Sequence, residues 1–126
     1  MEGNIKNKME KEIINKLSLS LNEIRNAKDI STFVIIKRAD DALWDIVVGG
    51  LNLDTQENLI QIANLFKKNL KPSELKEFSR IVLLNNTDAF IKGLKNTFLV
   101  ENGNIELQNA QINNIFINHA YLLYSK

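Results

Sequence analysis

The 126-residue chain has the length of one ordinary domain, and its composition, 44% hydrophobic and 25% charged, is typical of a globular protein. With 16 basic and 15 acidic side chains, the formal net charge is +1, so the chain has no overall field that would attract nucleic acid or an anionic membrane. The absence of cysteine excludes disulfides, thiolate nucleophiles and cysteine metal sites, and is typical of a reducing compartment. We therefore expect a single cytoplasmic domain over residues 1–126.

The first segment of the chain has the apolar spacing of an amphipathic helix. Its apolar residues recur every four residues and finally after three, at Ile5, Met9, Ile13, Leu17, Leu21 and Ile24. This spacing predicts a helix over about residues 4–27. No apolar stretch here or later has the length of a signal peptide or a membrane span, so we expect neither secretion nor a membrane partner. We expect the apolar stripe to pack on the protein's own sheet; the alternative is a helix seam with a partner.

Two short apolar runs, "TFVIIKRA" and "LWDIVV", follow and are separated by "DDA". β-Branched and aromatic runs around a polar turn predict a β-hairpin, with Asp40 and Asp41 in the turn. In that register Ile36 lies opposite Asp45, and Arg38 lies diagonal to Asp45 as a partner for its carboxylate. A tight turn directs neighbouring carboxylates away from each other, so these aspartates predict neither a metal site nor a general acid.

The next segment predicts a strand-helix-strand unit. Asp54 and Glu57 have the spacing of a capping box, and the apolar positions that follow predict a helix at about 55–70. "SELKEF" then predicts one further helical turn, and "SRIVLLN" a short apolar strand of the kind that is buried on both faces. Since the connection has the length of a βαβ crossover, we expect the strands at 43–48 and 80–84 to pair in parallel.

The remainder of the chain predicts one more helix and a strand pair. "NNTDAFIKGLKNTF" has an apolar helical face, with Asn86 or Thr87 as the expected N-cap. "NIELQNAQINNIFINHAYLLY" alternates as two strands, which we expect to join near "NAQ". The resulting order is α-β-β-α-β-α-β-β. It predicts an α+β (or mixed α/β) fold, with helices packed on a mixed sheet of about five strands.

Sequence motifs for catalysis are weak. "VVGGLNLD" has two glycines between a strand and a helix but lacks the spacing of a nucleotide-binding loop, so Gly49 and Gly50 more simply provide positive φ or close packing. His119 is the only histidine, and its place within a strand predicts a hydrogen-bonded, partly buried residue. No serine-hydrolase motif is present. We predict no catalytic residue, no metal ligand and no cofactor.

One candidate ligand site follows from the predicted topology. If the strands at 43–48 and 80–84 are parallel, the loops after them leave the same end of the sheet, where open α/β sheets bind ligands. Two helix N-termini meet small polar side chains there, so the crevice could hold an anion or an acidic side chain of a partner. The alternative is that these residues only cap helices and turn the chain. The candidate residues are Gly49, Gly50, Asn52, Asn85, Asn86, Thr87 and Asp88.

A domain without a catalytic constellation is more consistent with binding than with turnover. We therefore expect a small protein-interaction module, such as an inhibitor, immunity or accessory protein. Its 18 asparagines and 16 isoleucines match the AT-rich codons of many bacterial or phage genomes. We expect a protein partner or a homodimer, held through residues 112–124 or the helix stripe at 5–24. The alternative is a small-molecule or anion sensor, or an enzyme, that uses the crevice.

Overall fold

The computed structural model describes residues 9–37 and 42–126, and within them the chain forms four helices and a five-stranded sheet. The fold is α+β, and the order of elements matches the prediction, with α3 as the further helical turn. In chain order the elements are α1 (Lys11–Ala27), β1 (Ile30–Lys37), β2 (Trp44–Gly50), α2 (Gln56–Asn69), α3 (Pro72–Leu75), β3 (Phe78–Asn85), α4 (Ala89–Thr97), β4 (Ile105–Ile112) and β5 (Ile115–Ser125).

The sheet is mixed, with strand order β3-β2-β1-β5-β4. β2 and β3 are parallel, as the crossover length predicts, and the other three pairs are antiparallel. In the β1–β2 hairpin, Ile36 lies opposite Asp45, so the predicted register is confirmed. The residues predicted for the turn, Asp40 and Asp41, lie outside the described residues, as does Arg38. Because β3 and β4 stand at the two ends of this strand order, they are the edges of the sheet.

Helices cover both faces of the sheet, and each face has its own apolar core. α1 and α2 cover one face, where the ring of Phe33 on β1 lies 6.0 Å from that of Phe66 on α2 in an edge-to-face arrangement. α4 covers the other face, where Ile91 and Leu94 pack with Val34 and are fully buried. Because β1 and β2 are covered on both sides, their sequences are almost continuously apolar rather than alternating.

The N-terminal helix packs on the protein's own core. It begins at Lys11, later than predicted, and residues 4–8 lie outside the described part of the chain. Its apolar stripe is buried in the core of the α1 and α2 face, which confirms the prediction that this stripe packs on the chain's own sheet. The buried members of the stripe are Met9, Ile13, Leu17, Leu21 and Ile24.

Ion pairs connect α1 to α2 and to α3 on the same face of the sheet. Lys16 Nζ lies 2.9 Å from the Glu74 carboxylate of α3, and Lys68 Nζ of α2 lies 2.6 Å from Glu23 Oε2. The backbone N–H of Lys71 also donates to Glu74 at 2.7 Å. This N–H, followed by the Lys16 ammonium, lowers the pKa of Glu74 below its usual range. Lys68 near the end of α2 is thus both paired and exposed to solvent.

Both predicted N-caps are wrong by one or two residues. α2 is capped by Thr55, whose Oγ1 accepts the backbone N–H of Asn58 at 3.1 Å, rather than by Asp54. α4 is capped by Asp88, whose Oδ1 accepts the N–H of Phe90 at 2.8 Å. The predicted caps Asn86 and Thr87 instead lie in a turn closed by the bond from the Asp88 N–H to the Asn85 carbonyl. β3 extends to Asn85, so α4 cannot begin earlier. Several consecutive residues before α4 have side chains that can cap a helix, and the position at which β3 ends determines which of them is the N-cap.

The β4–β5 hairpin turns later than predicted. Its two-residue turn is Asn113–Asn114, with φ of 49° and 67°, and "NAQ" lies within β4. A two-residue hairpin turn that matches the strand twist requires positive φ at its central residues. Asparagine is among the few residues other than glycine that adopt this conformation readily.

Candidate functional site

β3 is an exposed edge strand, which contradicts the prediction that it is buried on both faces. Among the described residues only β2 pairs with β3, and the apolar residues of β3 from Ile81 to Leu84 are half-buried. Ile81 and Leu83 pack against the core under α1 and α2, whereas Val82 and Leu84 pack against the core under α4. On each face of the sheet, the core therefore covers the side of β3 that is next to β2 and leaves the side away from β2 open.

The backbone of β3 also presents hydrogen-bonding groups outward. The N–H of Asn86 donates to the Gly50 carbonyl at 3.1 Å, which directs the backbone groups of Asn86 toward β2. Backbone groups alternate in direction along a strand, so those of Val82 and Leu84 also point toward β2. The N–H and C=O groups of Ile81 and Leu83 then point out of the sheet edge. These groups can pair with a further strand.

Grooves border β3 on both faces of the sheet. On the α4 face a groove of about 320 Å³ includes Val82 and Leu84 and extends to the exposed Phe116. On the α2 face, grooves of about 220 and 260 Å³ lie on either side of Ile81, between β3 and the flank of α2. The grooves of about 320 and 260 Å³ are lined mainly by apolar side chains, and the groove of about 220 Å³ is lined equally by polar and apolar side chains. A strand added to β3 would direct its alternate side chains into these grooves.

A partly buried ion pair lines the α4-face groove. Asp45 is 5% exposed, and its Oδ2 accepts a hydrogen bond from Arg80 Nε at 3.2 Å. The sequence predicts an ion pair for Asp45 with Arg38, which lies outside the described residues; among the described residues, Arg80 is a cation that pairs with Asp45. The side chain of Arg80 is 59% exposed, so part of its guanidinium remains at the surface.

Charged side chains lie beside both ends of β3. At the amino end of the strand, Lys67 and Arg80 line the grooves. At the carboxyl end, Asp54 lines the groove on the α2 face and Asp88 the groove on the α4 face. The edge on the α2 face is therefore basic at one end, apolar in the middle and acidic at the other end, whereas on the α4 face the Asp45 carboxylate, which pairs with Arg80, lies at the same end as this cation.

The opposite edge of the sheet has a different surface. β4 exposes a series of polar side chains, namely Glu106, Gln108, Asn109 and Gln111. Polar side chains of this kind protect an edge strand from pairing with other chains. β3 has no such side chain between Ile81 and Leu84. The two edges thus differ in the property that controls strand addition.

Most of the described residues in the two segments predicted for partner binding lie inside the sheet or against the core, although Ile115 and Phe116 at the start of β5 are exposed, and partner binding through these segments stays a prediction. β5, which contains most of residues 112–124, lies between β1 and β4 rather than at an edge. The apolar stripe of α1 is buried in the core. Both predictions rely on the local apolar pattern of the sequence. Exposure depends here on strand order, which local pattern does not determine.

The loops of the predicted ligand crevice do meet at the carboxyl ends of β2 and β3. The Asn52 N–H lies 3.4 Å from Asn85 Oδ1, and the Ser31 hydroxyl donates to Asn86 Oδ1 at 2.5 Å. Asp88 caps α4, and Thr87 is exposed. Several of these polar groups therefore connect the loops to each other, as the capping alternative expects. Ligand binding at this crevice stays a prediction.

The glycine pair in the same crevice serves close packing. A Cβ added to Gly49 would lie 2.6 Å from Ile91 Cδ1, and one added to Gly50 would collide with the backbone carbonyl oxygen of Asp29. Neither glycine has a positive φ. Of the two structural roles that the sequence allows for this pair, close packing is confirmed at both positions, since each lets another element approach the end of β2.

His119 belongs to a buried cluster on the α1 and α2 face. Its Nε2 lies 2.7 Å from Glu106 Oε2, and its ring centroid lies 5.1 Å from that of Trp44 and 5.2 Å from that of Tyr121. Burial, and secondarily the charge of Glu106, raises the pKa of the Tyr121 hydroxyl. The predicted hydrogen bond of His119 is confirmed, and its side chain is buried rather than partly buried. Within residues 9–37 and 42–126, no group of three histidine or carboxylate side chains could hold a metal ion.

Comparison with family models, curated proteins and solved structures finds no match to this chain. Among the helices that the structure describes, none combines the length and the hydrophobicity needed to cross a membrane. The edge strand and its grooves are therefore the basis for the functional proposal.

Proposed function

We propose that this protein is an interaction module that acts by binding rather than by turnover, and that its partner adds a strand to the edge formed by β3. The observation that carries the proposal is the combination at Ile81 and Leu83. Their backbone N–H and C=O groups point away from β2, outward from the edge of the sheet. The apolar side chains of β3 from Ile81 to Leu84 are only half-buried on both faces.

Strand addition would satisfy both features at once. Main-chain hydrogen bonds to Ile81 and Leu83 would contribute about 0.5–1.5 kcal/mol each. Apolar side chains of the added strand would fill the grooves on the two faces, with about 25 cal/mol gained per Å² of apolar surface removed from water. The main chain would thus contribute to affinity in any partner, and the grooves would select the side chains.

The cellular role that fits such a module is that of an inhibitor, immunity or accessory protein. An added strand occupies a partner without any chemical step, which is the action expected of an inhibitor or of an accessory subunit. The abundance of asparagine and isoleucine supports a bacterial or phage origin, and the lack of cysteine supports a cytoplasmic location.

A small-molecule or anion site at the carboxyl ends of β2 and β3 is the alternative proposal. Its support is the groove of about 220 Å³ beside the first turn of α2, which Asp54, Thr55 and Gln56 line. Ligand pockets usually measure about 300–1,000 Å³, so this groove would accept only a small ligand. Substitution of Gln56, which lines this groove, would weaken the binding of such a ligand and leave a protein partner bound.

A backbone-specific substitution tests strand addition. Leu83→Pro removes the outward N–H and leaves the hydrogen bonds between β2 and β3 in place, because those use the groups of Val82 and Leu84. Leu83→Ala is the matched control, since it shortens the same side chain and keeps the N–H. Tagged full-length chain would be recovered from its own cells and its bound proteins quantified.

We expect Leu83→Ala to retain the partner, with at most reduced yield, and Leu83→Pro to lose it. Circular dichroism and cooperative thermal unfolding establish that both variants fold. A partner that Leu83→Pro retains at the wild-type level contradicts binding at the β3 edge.

A further inference from the structure

We infer that the strand added to β3 comes from a second copy of this chain, so that two copies form one continuous sheet about a two-fold axis at Val82. This inference rests on the proposed function, because it uses the same edge. It assigns the partner and the register, which the proposed function leaves open.

The backbone geometry permits this register. A two-fold axis perpendicular to the sheet at Val82 makes the two β3 strands antiparallel and places Ile81 opposite Leu83 of the second copy. Both of these residues present their N–H and C=O groups outward. Each Ile81 and Leu83 can therefore exchange a pair of hydrogen bonds across the seam, with Val82 as the non-hydrogen-bonded pair at the axis.

The side chains at the seam match their own copies. On the α2 face, Ile81 contacts Leu83 of the second copy, and on the α4 face Val82 contacts Val82 of the second copy. Both faces continue the cores against which these residues pack in one copy. No polar side chain lies between these apolar side chains. The half-buried apolar residues of β3 are therefore covered by the second copy on the side away from β2.

The charges along β3 are self-complementary in this arrangement. Arg80 and Lys67 lie at the amino end of the strand, and Asp88 and Asp54 at the carboxyl end. Antiparallel pairing brings Lys67 of each copy toward Asp54 of the other on the α2 face. On the α4 face it brings the exposed part of the Arg80 guanidinium, which also pairs with Asp45 of its own copy, toward Asp88 of the other copy. A partner strand of unrelated sequence would need to supply this pattern separately, whereas a second copy has it already. Charge complementarity of this kind selects the orientation of an interface.

A charge-swap experiment tests the register directly. Val82 side chains meet at the axis with Cβ atoms about 4.5–5.5 Å apart, so a lysine at this position faces a lysine and a glutamate faces a glutamate. We would measure the mass of purified full-length chain by light scattering, for wild type, Val82→Lys, Val82→Glu and an equimolar mixture of the two variants. Ala110→Lys is the control, because Ala110 is also half-buried on the α4 face but lies on the opposite edge strand.

The expected mass is twice 14.4 kDa for wild type and for Ala110→Lys, and 14.4 kDa for each Val82 variant alone. The mixture is expected to return to the doubled mass, which also shows that both variants are folded. If Val82→Lys does not fold, Leu83→Pro serves as the second variant and is expected to be monomeric while Leu83→Ala remains dimeric.

Three outcomes would overturn the inference: a wild-type chain that is monomeric at millimolar concentration, a dimer that the Val82 charges do not separate, or a mixture that does not recombine. These outcomes are distinct from failure of the proposed function. A monomeric chain that captures another protein through an edge sensitive to Leu83→Pro overturns only the second-copy inference. Capture that is insensitive to Leu83→Pro contradicts the proposed function as well.

Discussion

Gly49→Ala is expected to destabilise the fold, because the added methyl group collides with α4. The new Cβ would lie 2.6 Å from Ile91 Cδ1 and 3.0 Å from Ile91 Cγ1, whereas ordinary contacts are at least about 3.4–4 Å. Ile91 is fully buried, so its side chain would have to shift within the core to relieve these contacts. Overpacking of this kind costs about 1–3 kcal/mol.

Ile91→Val provides the matched second substitution, because it removes only Cδ1, the atom nearest to the new methyl group. Alone, it should cost about 0.5–1.5 kcal/mol through the cavity that it creates. In the double variant the methyl group added by Gly49→Ala partly fills that cavity. We therefore expect the double variant to lose less stability than the sum of the single variants, by at least about 0.5 kcal/mol.

Urea unfolding of the three variants and wild type measures these differences. With an m-value of about 1.5 kcal/mol/M, the midpoint of Gly49→Ala should fall by about 0.7–2 M without a change in m. Gly50→Ala is the control, since its methyl group meets the Asp29 carbonyl and Ile91→Val should not rescue it. Additive losses for Gly49→Ala and Ile91→Val would refute the packing role of Gly49.

Three further changes probe other parts of the structure. Phe33→Ala should cost about 3–5 kcal/mol, because the ring is fully buried and contacts Phe66; a loss below about 1 kcal/mol in urea unfolding would contradict this packing. Asn114→Gly should stabilise the fold by up to about 1 kcal/mol, because φ is positive in the β4–β5 turn; an unchanged or lower melting temperature would argue against that turn. The lowered pKa of Glu74 means that its contribution to stability is present above the ordinary glutamate pKa of about 4.3 and is lost as the pH falls through the lowered value. The stability difference between wild type and Glu74→Gln should therefore shrink on acidification, and a constant difference from about pH 6 to about pH 3 would contradict it.

The parts of the fold that depend on local periodicity could be predicted from the sequence. Two β-branched and aromatic runs around a polar turn were sufficient for the register that places Ile36 opposite Asp45, and connection length was sufficient for the parallel pairing of β2 and β3. The predicted crevice loops also meet, because they follow directly from that pairing. These features require only information from neighbouring segments of the sequence.

The exposure of β3 could not be predicted in the same way. "IVLL" has the same appearance in a central strand and in an edge strand, since in both cases its alternate residues pack on the two faces of the sheet. Its edge position depends on β1 pairing with β5 across most of the chain, which leaves no strand among the described residues to cover β3. The candidate binding edge consists of backbone groups, which have no residue-type signature in the sequence.

The most direct test of the central claim is amide hydrogen exchange of β3, resolved by residue, in the free and bound protein. In the free chain, the amides of Ile81 and Leu83 should exchange much faster than those of Val82 and Leu84, because only the latter pair with β2. When the partner binds, or when the chain self-associates, the amides of Ile81 and Leu83 should become protected while those of Val82 and Leu84 stay protected throughout. Binding that leaves the exchange of Ile81 and Leu83 unchanged would contradict strand addition at this edge.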